Sequence, residues 1–483
     1  MGKEVRLEDL TKINEFIYEI SKNYRSDMRV PARVFADQAM LQAITEDRSL
    51  DQLVNVTTLP GIQNHALAMP DIHQGYGFPI GGVAALSVED GVISPGGIGY
   101  DINCGMRLLA TNLQVADIKD QMATLADAIY NTVPSGVGFG GKFIFEGIAL
   151  DEILIGGAKR MVELGYGNVQ DLVTCEENGC FVGADQSKVS DQAKRRGADQ
   201  IGTLGSGNHF LELQLVDEIL NPEVAKVFGL FSGQLVAMIH CGSRGLGHQV
   251  CTDYVRTMVS KLGDYDIKLP DRELACAPFS SEDGQNYFKA MKCSANFAWA
   301  NRHVIGHCVR TVIQKMFGTQ INVQTLYDVS HNIGKIEEHT IDDAPQTVVV
   351  HRKGATRSFG PGNKAIPEKY QSVGQPVLIP GTMGTASYVL VGTQEAEQIS
   401  FGSTCHGAGR RLSRMAAKKK IGGDELRKQL EAQGIVICCR SNKGLAEEAP
   451  FAYKDIANVV DIVDSVGIAK KVVRLKPLAV IKG

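Results

Sequence analysis

Two potential metal ligands, Asp101 and Cys104, follow directly after a glycine-rich stretch. They lie in the segment GYDINCGMR (99–107), which SPGGI precedes. A regular strand sends side chains three residues apart to opposite faces, so both could reach one ion only if the backbone turns between them. The glycines and Asn103 favour such a turn. The alternative is a glycine-rich hairpin with a buried cysteine and a solvated aspartate, so a metal site requires further ligands.

Several of the eleven histidines stand where an apolar run meets a loop of Gly, Asn or Ser. His240, His331 and His351 each follow such a run, whereas His209 follows the loop GTLGSGN and opens the next run. Strand ends that lead into polar loops are common positions for binding sites. One histidine of this kind is usually structural, but several of them with a carboxylate and a thiolate form the ligand set of a divalent ion. The pattern predicts a metal site, and a bridging thiolate would allow two ions.

The segment FGSTCHGAGRRLSR (401–414) places His406 among three glycines, which leave it accessible to a bulky ligand. Arg410, Arg411 and Arg414 follow within one or two turns and could neutralise phosphate groups. A neutral imidazole that attacks a nucleoside triphosphate needs the departing charge stabilised, which metal ions and arginines can do. The segment therefore predicts a nucleophile or phosphate ligand at His406. The alternative is a glycine turn that leads into a basic helix face.

Three motif tests narrow the range of functions. His303 and His307 in HVIGH share a helix face, but Val304 replaces the glutamate of a zinc protease, so we interpret the pair as helix-surface or packing histidines. GTLGSG (202–207) lacks the Rossmann glycine order and the P-loop lysine, although its N–H groups could approach an anion. No Lys-x-Asp-Gly motif occurs, which disfavours a ligase that adenylylates a lysine.

The elements that must position these residues do not alternate regularly between strand and helix. Helices are predicted over 116–132 and 282–317, although Gly306 weakens the second, and 185–200 is predicted to be an exposed helix or lid. Runs rich in Val, Ile and Leu predict strands at 80–87, 211–216, 234–240, 323–329, 346–351, 376–379 and 387–391. The irregular order predicts an α+β fold with a mixed or antiparallel β core flanked by helices. Without repeats or linkers, we expect a single domain over 1–483.

The composition is that of an ordinary globular protein, with 44% hydrophobic and 22% charged residues in a chain of 483. A net charge of −4 gives no overall basic signature, so a nucleic-acid partner would have to bind a local patch. Eleven cysteines without CxxC pairs disfavour a zinc ribbon and a disulfide framework. The segment MGKEVRLEDLTK lacks a signal-peptide core and no apolar run approaches roughly 18 residues, so we expect a cytoplasmic protein without a membrane span.

Eight segments, in the same order, resemble the RtcB family of RNA ligases. They are MPDIHQGYGFPIG (69–81), GGIGYDINCGMR (96–107), GTLGSGNHFLE (202–212), IHCGSRGLGHQ (239–249), VSHNIGK (329–335), HRKGATR (351–357), PGTMGTASYVL (380–390) and STCHGAGRRLSR (403–414). The resemblance extends from about residue 30 to the terminal LKPLAVIKG. It implies a single-domain α+β fold with a deep hydrophilic cleft that holds manganese.

The resemblance also implies roles for individual residues. His406 would be the nucleophile that GTP guanylylates, and Asp71 would handle the RNA end. Two Mn²⁺ ions would be held by Asp101, Cys104, His209, His240 and His331, with the thiolate bridging them. The guanylate would contact Asn208, Glu212, Asn332, Ser387, His406, Ala408, Gly409, Tyr453 and Lys482. RNA phosphate would contact Arg196, Arg244, Lys353 and Arg414.

The implied activity joins RNA 2′,3′-cyclic phosphate or 3′-phosphate ends to 5′-hydroxyl ends through a histidine–GMP intermediate. The implied substrates are GTP and RNA, as tRNA exon halves in splicing or broken ends in repair, and archease is the activating partner used in the family. An aromatic content of 6% without a basic–aromatic stripe favours recognition of an RNA end over a stacked run of bases.

Two questions stay open at the level of sequence. Ligand softness alone favours zinc in a Cys/His-rich site, because manganese prefers oxygen donors, whereas the resemblance implies manganese with phosphate and water completing the shell. A metal-dependent phosphohydrolase or cyclic phosphodiesterase could use the same histidines, as could a non-enzymatic RNA-binding protein. Of these, the ligase alone requires a covalent nucleotide adduct.

Overall fold

The computed structural model of the protein describes residues 4–136 and 140–483. Within these ranges the strands are β1 (Thr11–Lys12), β2 (Ile17–Ile20), β3 (Ala32–Phe35), β4 (Ala66–His73), β5 (Ile80–Ser87), β6 (Val92–Ile93), β7 (Gly105–Gln114), β8 (Phe210–Ile219), β9 (Gln234–Cys241), β10 (Ala277–Pro278), β11 (Val323–Ser330), β12 (Asn332–Ile341), β13 (Ala344–Lys353), β14 (Ala355–Arg357), β15 (Pro376–Ile379), β16 (Ser387–Gly392), β17 (Ser403–Cys405), β18 (Val436–Cys439) and β19 (Ala469–Lys482).

The α-helices of the same ranges are α1 (Gln38–Ile44), α2 (Ser49–Val56), α3 (Val115–Ile118), α4 (Met122–Thr132), α5 (Ile148–Glu163), α6 (Gln170–Val173), α7 (Asp191–Gly197), α8 (Pro222–Phe228), α9 (Arg244–Lys261), α10 (Glu282–Phe317), α11 (Gln394–Ile399), α12 (Arg414–Lys420), α13 (Gly423–Ala432), α14 (Asn442–Glu447) and α15 (Ile456–Val466). In the chain, α1 and α2 lie between β3 and β4, and the other α-helices follow β7.

Two large sheets form the β core. The seven-stranded sheet has the order β1-β2-β3-β4-β5-β13-β12, and the eight-stranded sheet has the order β11-β7-β9-β8-β19-β16-β15, with β18 parallel to β19. Apart from β18–β19 and β3–β4, the strand pairs of these two sheets are antiparallel. The predicted α+β class with a mixed or antiparallel core is therefore confirmed.

Alternation of side chains gives the eight-stranded sheet two buried faces. On β9, Leu235, Ala237 and Ile239 pack in one core with residues of α4, α5, α9 and α10. Val236 and Met238, on the opposite face, pack in a separate core with residues of β11, β16 and β19. Side chains of a strand alternate with period two, so His240, two residues after Met238, lies on the same face as Met238 and away from the helices.

The seven-stranded sheet and one end of the eight-stranded sheet share another core. It contains residues of β2 to β5 and β13 together with Val377, Ile379 and Leu390 from β15 and β16, and it also includes the apolar face of α15. A short ribbon of β14 and β17, with Ala355 opposite Cys405, lies beside this core. The residue after β17 is His406, so the ribbon fixes the position of the predicted nucleophile.

The predicted secondary structure is confirmed in most elements. All seven predicted strands are present, each within a few residues of its expected limits, and α10 spans 282–317 without a break. Gly306 does not interrupt α10, where it is buried and packs against the Arg107 side chain. The region 116–132 is divided into α3, a 3₁₀ turn (Lys119–Gln121) and α4, and 185–200 contains α7, which the Ser190 side chain caps.

No helix in the described parts of the chain combines the length and apolar character that crossing a membrane requires.

Candidate metal and nucleotide site

The predicted metal ligands meet at one end of four neighbouring strands. β7 and β8 begin there and β9 and β11 end there, because adjacent strands in this part of the sheet are antiparallel. Cys104 precedes β7, His209 precedes β8, His240 closes β9, and His331 follows β11. The chain passes from the eight-stranded to the seven-stranded sheet at His331, where its N–H donates to the Cys104 carbonyl (2.9 Å).

Asp101 reaches the same place through the predicted turn. The Cys104 N–H donates to the Asp101 carbonyl (3.0 Å), and Asn103 adopts a left-handed φ of 53°. The Asn103 amide donates to the Ala295 carbonyl of α10 (2.7 Å), which fixes the turn on a buried helix. The turn brings the carboxylate and the thiol to one side, as the sequence predicts.

The ligand atoms form two triads that share Cys104 Sγ. His240 and His331 complete one triad, and Asp101 and His209 complete the other; within each, the atoms lie within 4.8 Å of one another. Sγ lies 3.2 Å from His240 Nε2 and 3.4 Å from His209 Nε2. Asp101 Oδ2 lies 2.7 Å from His209 Nε2. Two triads around one sulfur could hold two cations.

The orientation of the histidine rings fits a bound cation. His209 Nδ1 lies 3.0 Å from the Leu204 carbonyl, and His240 Nδ1 lies 3.0 Å from the Asn208 carbonyl. A proton on each Nδ1 leaves the Nε2 lone pair directed at the cluster, which is the arrangement found around protein-bound metals. His240 Nε2 and His331 Nε2 lie only 3.2 Å apart, a distance at which one nitrogen donates a proton to the other or both face a cation.

Burial controls the protonation of this cluster. Burial, with the nearby His209 and His406, lowers the pKa of His240 well below its usual value, and burial with His406 and His240 does the same for His331. Both rings are therefore neutral ligands. Burial, with the Asp101 carboxylate, raises the pKa of the Cys104 thiol to about 12. A cation would reverse this effect and release the thiol proton.

His406 lies next to the cluster and is held by Asp71. Its ring centroid is 5.0 Å from that of His331. His406 Nδ1 lies 2.5 Å from Asp71 Oδ2, which also accepts the His406 and Gly407 N–H groups at 3.0 and 3.3 Å. Burial opposes ionisation of Asp71, but His406 and Lys454 keep its pKa below the usual value. The structure thus places Asp71 against Nδ1 of the predicted nucleophile, leaving Nε2 outside this contact.

Two adjoining cavities share His406, Ile80 and Asn208 in their walls. The metal-side cavity, of about 240 Å³, is also lined by Tyr76, Gly99, Tyr100, Asp101, Cys104, His331, Asn332, Lys353 and Gly354. The second has about 270 Å³, and we call it the nucleotide cavity because most residues predicted to contact guanylate line it. Its far side is lined by residues of β8, the 380–383 loop, the 407–414 segment, Glu448, Tyr453 and Lys482. A group bound in the nucleotide cavity would therefore meet the ligand cluster across His406.

Most residues predicted to contact guanylate line the nucleotide cavity. These are Asn208, Glu212, His406, Ala408, Gly409, Tyr453 and Lys482. Burial raises the pKa of Glu212 to about 7, although Gln214 and Lys482 oppose the shift. Burial also lowers the pKa of Lys482, whose Nζ donates to the His209 carbonyl (3.4 Å). The cavity thus combines a carboxyl group and an amine whose charged forms are both disfavoured by burial.

Two predicted guanylate contacts lie beside the nucleotide cavity instead of in its wall. Ser387 Oγ accepts from Gln214 and from the Gly381 N–H, at 3.0 and 3.1 Å, directly behind the wall. Asn332 lines the metal-side cavity, donates to the Asp101 carbonyl (3.1 Å) and accepts the Gly354 N–H (2.8 Å). In this structure Asn332 therefore braces the Asp101 turn.

The four basic residues predicted to contact RNA phosphate occupy different environments. Arg196 is exposed and donates to Gln249 (2.9 Å), and Arg414, half exposed at the rim of the nucleotide cavity, donates to Glu448 (3.0 Å). Arg244 lies over Gly205, where an added Cβ would approach its Nη1 to 1.8 Å. Lys353 is buried, with its ammonium donating to the carbonyls of Tyr76, Phe78 and Gly96.

One residue beside the site, Lys454, had no signal in the sequence. Lys454 Nζ donates to the carbonyls of Pro70 (2.9 Å) and Ile72 (2.6 Å), on both sides of Asp71, while its N–H donates to the Gly409 carbonyl (2.9 Å). It thereby connects the strand that carries Asp71 with the loop that follows His406. A lysine in an ordinary polar segment cannot be identified in this way before the fold is known.

The sequence pattern also selected His351, which lies outside the site, whereas we interpret His303 and His307 from the sequence as packing histidines. His351 is buried within β13, where its Nε2 accepts the Ser94 N–H (3.2 Å). His303 is buried and bonds the Tyr166 carbonyl (2.8 Å), and half-buried His307 accepts the Gly167 N–H (3.1 Å). The interpretation of HVIGH as packing histidines is confirmed.

Comparison with known proteins agrees with the resemblance seen in the eight segments. The family model described as "tRNA-splicing ligase RtcB" matches residues 52–483. Proteins named tRNA-splicing ligase RtcB from Archaeoglobus fulgidus and Thermococcus kodakarensis are each 52% identical to the chain over 477 residues, covering 98% of this chain and 99% of theirs. The corresponding protein from Aeropyrum pernix is 47% identical over the same shares. The chain therefore belongs to the RtcB family.

Proposed function

We propose that this protein is a GTP- and manganese-dependent RNA ligase that acts in tRNA splicing and RNA repair. The observation that carries the proposal is the position of His406, held by Asp71 between a nucleotide-sized cavity and a cluster of five metal-ligand side chains. The names of the similar proteins support the same activity. RNA, GTP and the archease activator are the proposed partners.

In the first step, His406 Nε2 attacks the α-phosphorus of GTP. A P–N bond forms, and the bond from the α-phosphorus to the bridging oxygen breaks to release pyrophosphate. Asp71 holds Nδ1 and stabilises the positive charge that develops on the ring during attack. Glu212 would accept the N–H groups of guanine, while Tyr453 and Lys482 enclose the rest of the nucleotide.

The second and third steps use RNA. An oxygen of the RNA 3′-phosphate, formed by hydrolysis of a 2′,3′-cyclic phosphate, attacks the guanylyl phosphorus and breaks the P–N bond. The RNA 5′-hydroxyl then attacks the activated 3′-phosphate, and GMP leaves with the bridging oxygen. Arg196, Arg244, Lys353 and Arg414 are the proposed phosphate contacts, and Asp71 keeps its predicted part in handling the RNA end.

Asp101, Cys104, His209, His240 and His331 would hold two divalent cations, with Cys104 as the shared ligand. Such cations supply Lewis-acid stabilisation of phosphate charge. Manganese is our proposal in spite of the sulfur ligand, because phosphate and water oxygens would complete an oxygen-rich shell.

The deciding experiment is incubation with radiolabelled GTP and Mn²⁺, followed by mass mapping of the modified residue. A GMP adduct on His406 that His406→Ala abolishes, together with ligation of cyclic-phosphate RNA to 5′-hydroxyl RNA, would support the proposal. Hydrolysis of the RNA end without an adduct would identify a phosphohydrolase or cyclic phosphodiesterase. RNA binding without either reaction would identify a non-enzymatic RNA-binding protein.

A further inference from the structure

Three ring side chains stand together at the metal-side cavity with no assigned role. Tyr76 and Tyr100 line this cavity. The ring of Tyr100 stacks on that of His248, with centroids 4.9 Å apart and planes 30° apart. Tyr76 meets Tyr100 edge to face, with centroids 5.3 Å apart. The two tyrosines are half-buried and His248 is exposed, so the stack runs from the cavity wall to the surface.

The surroundings of this stack are basic. His248 lies one helical turn after Arg244, which begins α9 with a left-handed φ of 55°. Arg196 of α7 donates to Gln249, the neighbour of His248 (2.9 Å). The exposed planar ring thus stands on a stretch of α9 that begins with one arginine and is contacted by another, and both could hold phosphate groups. A backbone-binding cation beside a stacking ring is the combination that single-stranded nucleic acid requires.

The position of the stack relates it to the ligand cluster. Tyr100 immediately precedes Asp101, and Gly99, Tyr100, Asp101 and Cys104 line the same cavity. A nucleotide whose base lies on the stack would therefore have its sugar and phosphate at the entrance to this cavity. The two tyrosines contact the helical core, so core packing accounts in part for their positions. It does not account for the exposed imidazole that is stacked on Tyr100.

We propose that Tyr100 and His248 form a stacking platform for a nucleobase near the RNA end that enters the metal-side cavity. The inference rests on the proposed function, since it names a base-binding position of that same site. The exposed imidazole, backed by Tyr100, can stack on a base regardless of sequence, so the platform would bind any of the four bases. The base could belong to the 5′-hydroxyl strand or to the 3′-phosphate strand, and the experiment distinguishes them.

The test is a binding cycle between protein and RNA. Dissociation constants are measured by fluorescence anisotropy for short single strands with a 5′-hydroxyl or a 3′-phosphate, intact or carrying an abasic site at each of the three terminal positions. The proteins are the wild type, His248→Ala and His248→Phe, each checked by circular dichroism and melting temperature. Stacking on one base contributes enough that losing it should weaken binding about 5- to 100-fold.

We expect His248→Ala to weaken binding of one of the two strands. In that strand, one abasic site should weaken binding to the wild type by a similar factor, and combining this abasic site with His248→Ala should weaken binding no further. His248→Phe should bind like the wild type, because it keeps the ring. The inference is overturned if His248→Ala binds both strands like the wild type, or if His248→Phe binds as weakly as His248→Ala. It is also overturned if the fold-loss of affinity caused by His248→Ala multiplies with the fold-loss caused by every abasic site. Guanylylation of wild-type His406 is measured in parallel, so failure of the ligase proposal would be recognised separately.

Discussion

Replacing Glu212 by glutamine tests whether the nucleotide cavity keeps a carboxylate that destabilises the fold. Glu212 is 2% exposed, and its hydrogen-bond partner is Gln214, which donates at 2.7 Å. Burial raises the pKa of Glu212 to about 7, against 4.5 for an exposed glutamate. Since one pKa unit corresponds to about 1.36 kcal/mol, ionised Glu212 should lower the free energy of unfolding by about 3 kcal/mol.

The sign follows from the direction of the shift. An acid whose pKa is raised by folding contributes no penalty below its unfolded pKa, and the penalty grows as the pH rises from about 4.5 to about 7. Glu212→Gln removes it, so the variant should gain about 3 kcal/mol at pH 8 and less than about 1 kcal/mol at pH 5. With an unfolding entropy of about 2.1 cal/mol/K per residue, the melting temperature should rise about 3 °C at pH 8 and less than about 1 °C at pH 5.

The assay is differential scanning calorimetry at both pH values, combined with the KM for GTP in guanylylation. The KM should rise at least about tenfold, because an amide cannot accept two N–H groups of guanine as a carboxylate can. Glu448→Gln is the matched control. This buried carboxylate has a lowered pKa, because Lys482, Tyr453 and two arginines outweigh the effect of burial. Removing its charge should therefore destabilise the protein at both pH values. An equal shift of the Glu212→Gln melting temperature at pH 5 and pH 8 would refute the reasoning.

Three further outcomes are expected. Cys104→Ala should bind neither Mn²⁺ ion, because both triads use its sulfur; metal analysis after dialysis checks this, and a variant that retained two ions would contradict it. Lys454→Met should lower the kcat of guanylylation about 10- to 100-fold with little change in the KM for GTP, because the strand that carries Asp71 loses its hydrogen bonds from the lysine ammonium. A change confined to KM would rule out this positioning role. Arg196→Ala and Arg414→Ala should each reduce the slope of log K against log salt by about 0.7 for single-stranded RNA, and an unchanged slope would exclude a phosphate contact.

The elements of the fold were predictable because they depend on local patterns. A buried strand is a short apolar run bounded by turn residues, and α10 is a long periodic segment with a capping Ser281, whose side chain accepts the Gly284 N–H. Strand order was not predictable in this way. β19, at the end of the chain, lies between β8 and β16, and β13 lies beside β5, which is more than 250 residues earlier. These pairings depend on which apolar faces fit together after collapse, which no local window records.

The predicted site shows the same limit at the level of single residues. The pattern of an apolar run, a histidine and a polar loop correctly located His240 and His331 at strand ends, but it also selected His351. There the strand continues through Arg352 and Lys353 in spite of their charge, because Glu337 pairs with the first and backbone carbonyls satisfy the second. A polar residue after a histidine therefore marks a strand end only when no buried partner is available for it.

The two sheets explain why distant residues had to be combined to make one site. The eight-stranded sheet contributes Cys104, His209 and His240, while the seven-stranded sheet contributes Asp71 and lies beside the ribbon that carries His406. Beneath the ligands, Arg302 donates to the carbonyls of Asn103 (2.7 Å) and Cys241 (2.8 Å) and is neutralised by Asp328. This fully buried network joins the Asp101–Cys104 turn to the end of β9. Because the predicted ligands stand at the ends of β7, β8, β9 and β11, their geometry depends on the pairing of these strands, and binding of the proposed metal ions should stabilise the whole fold.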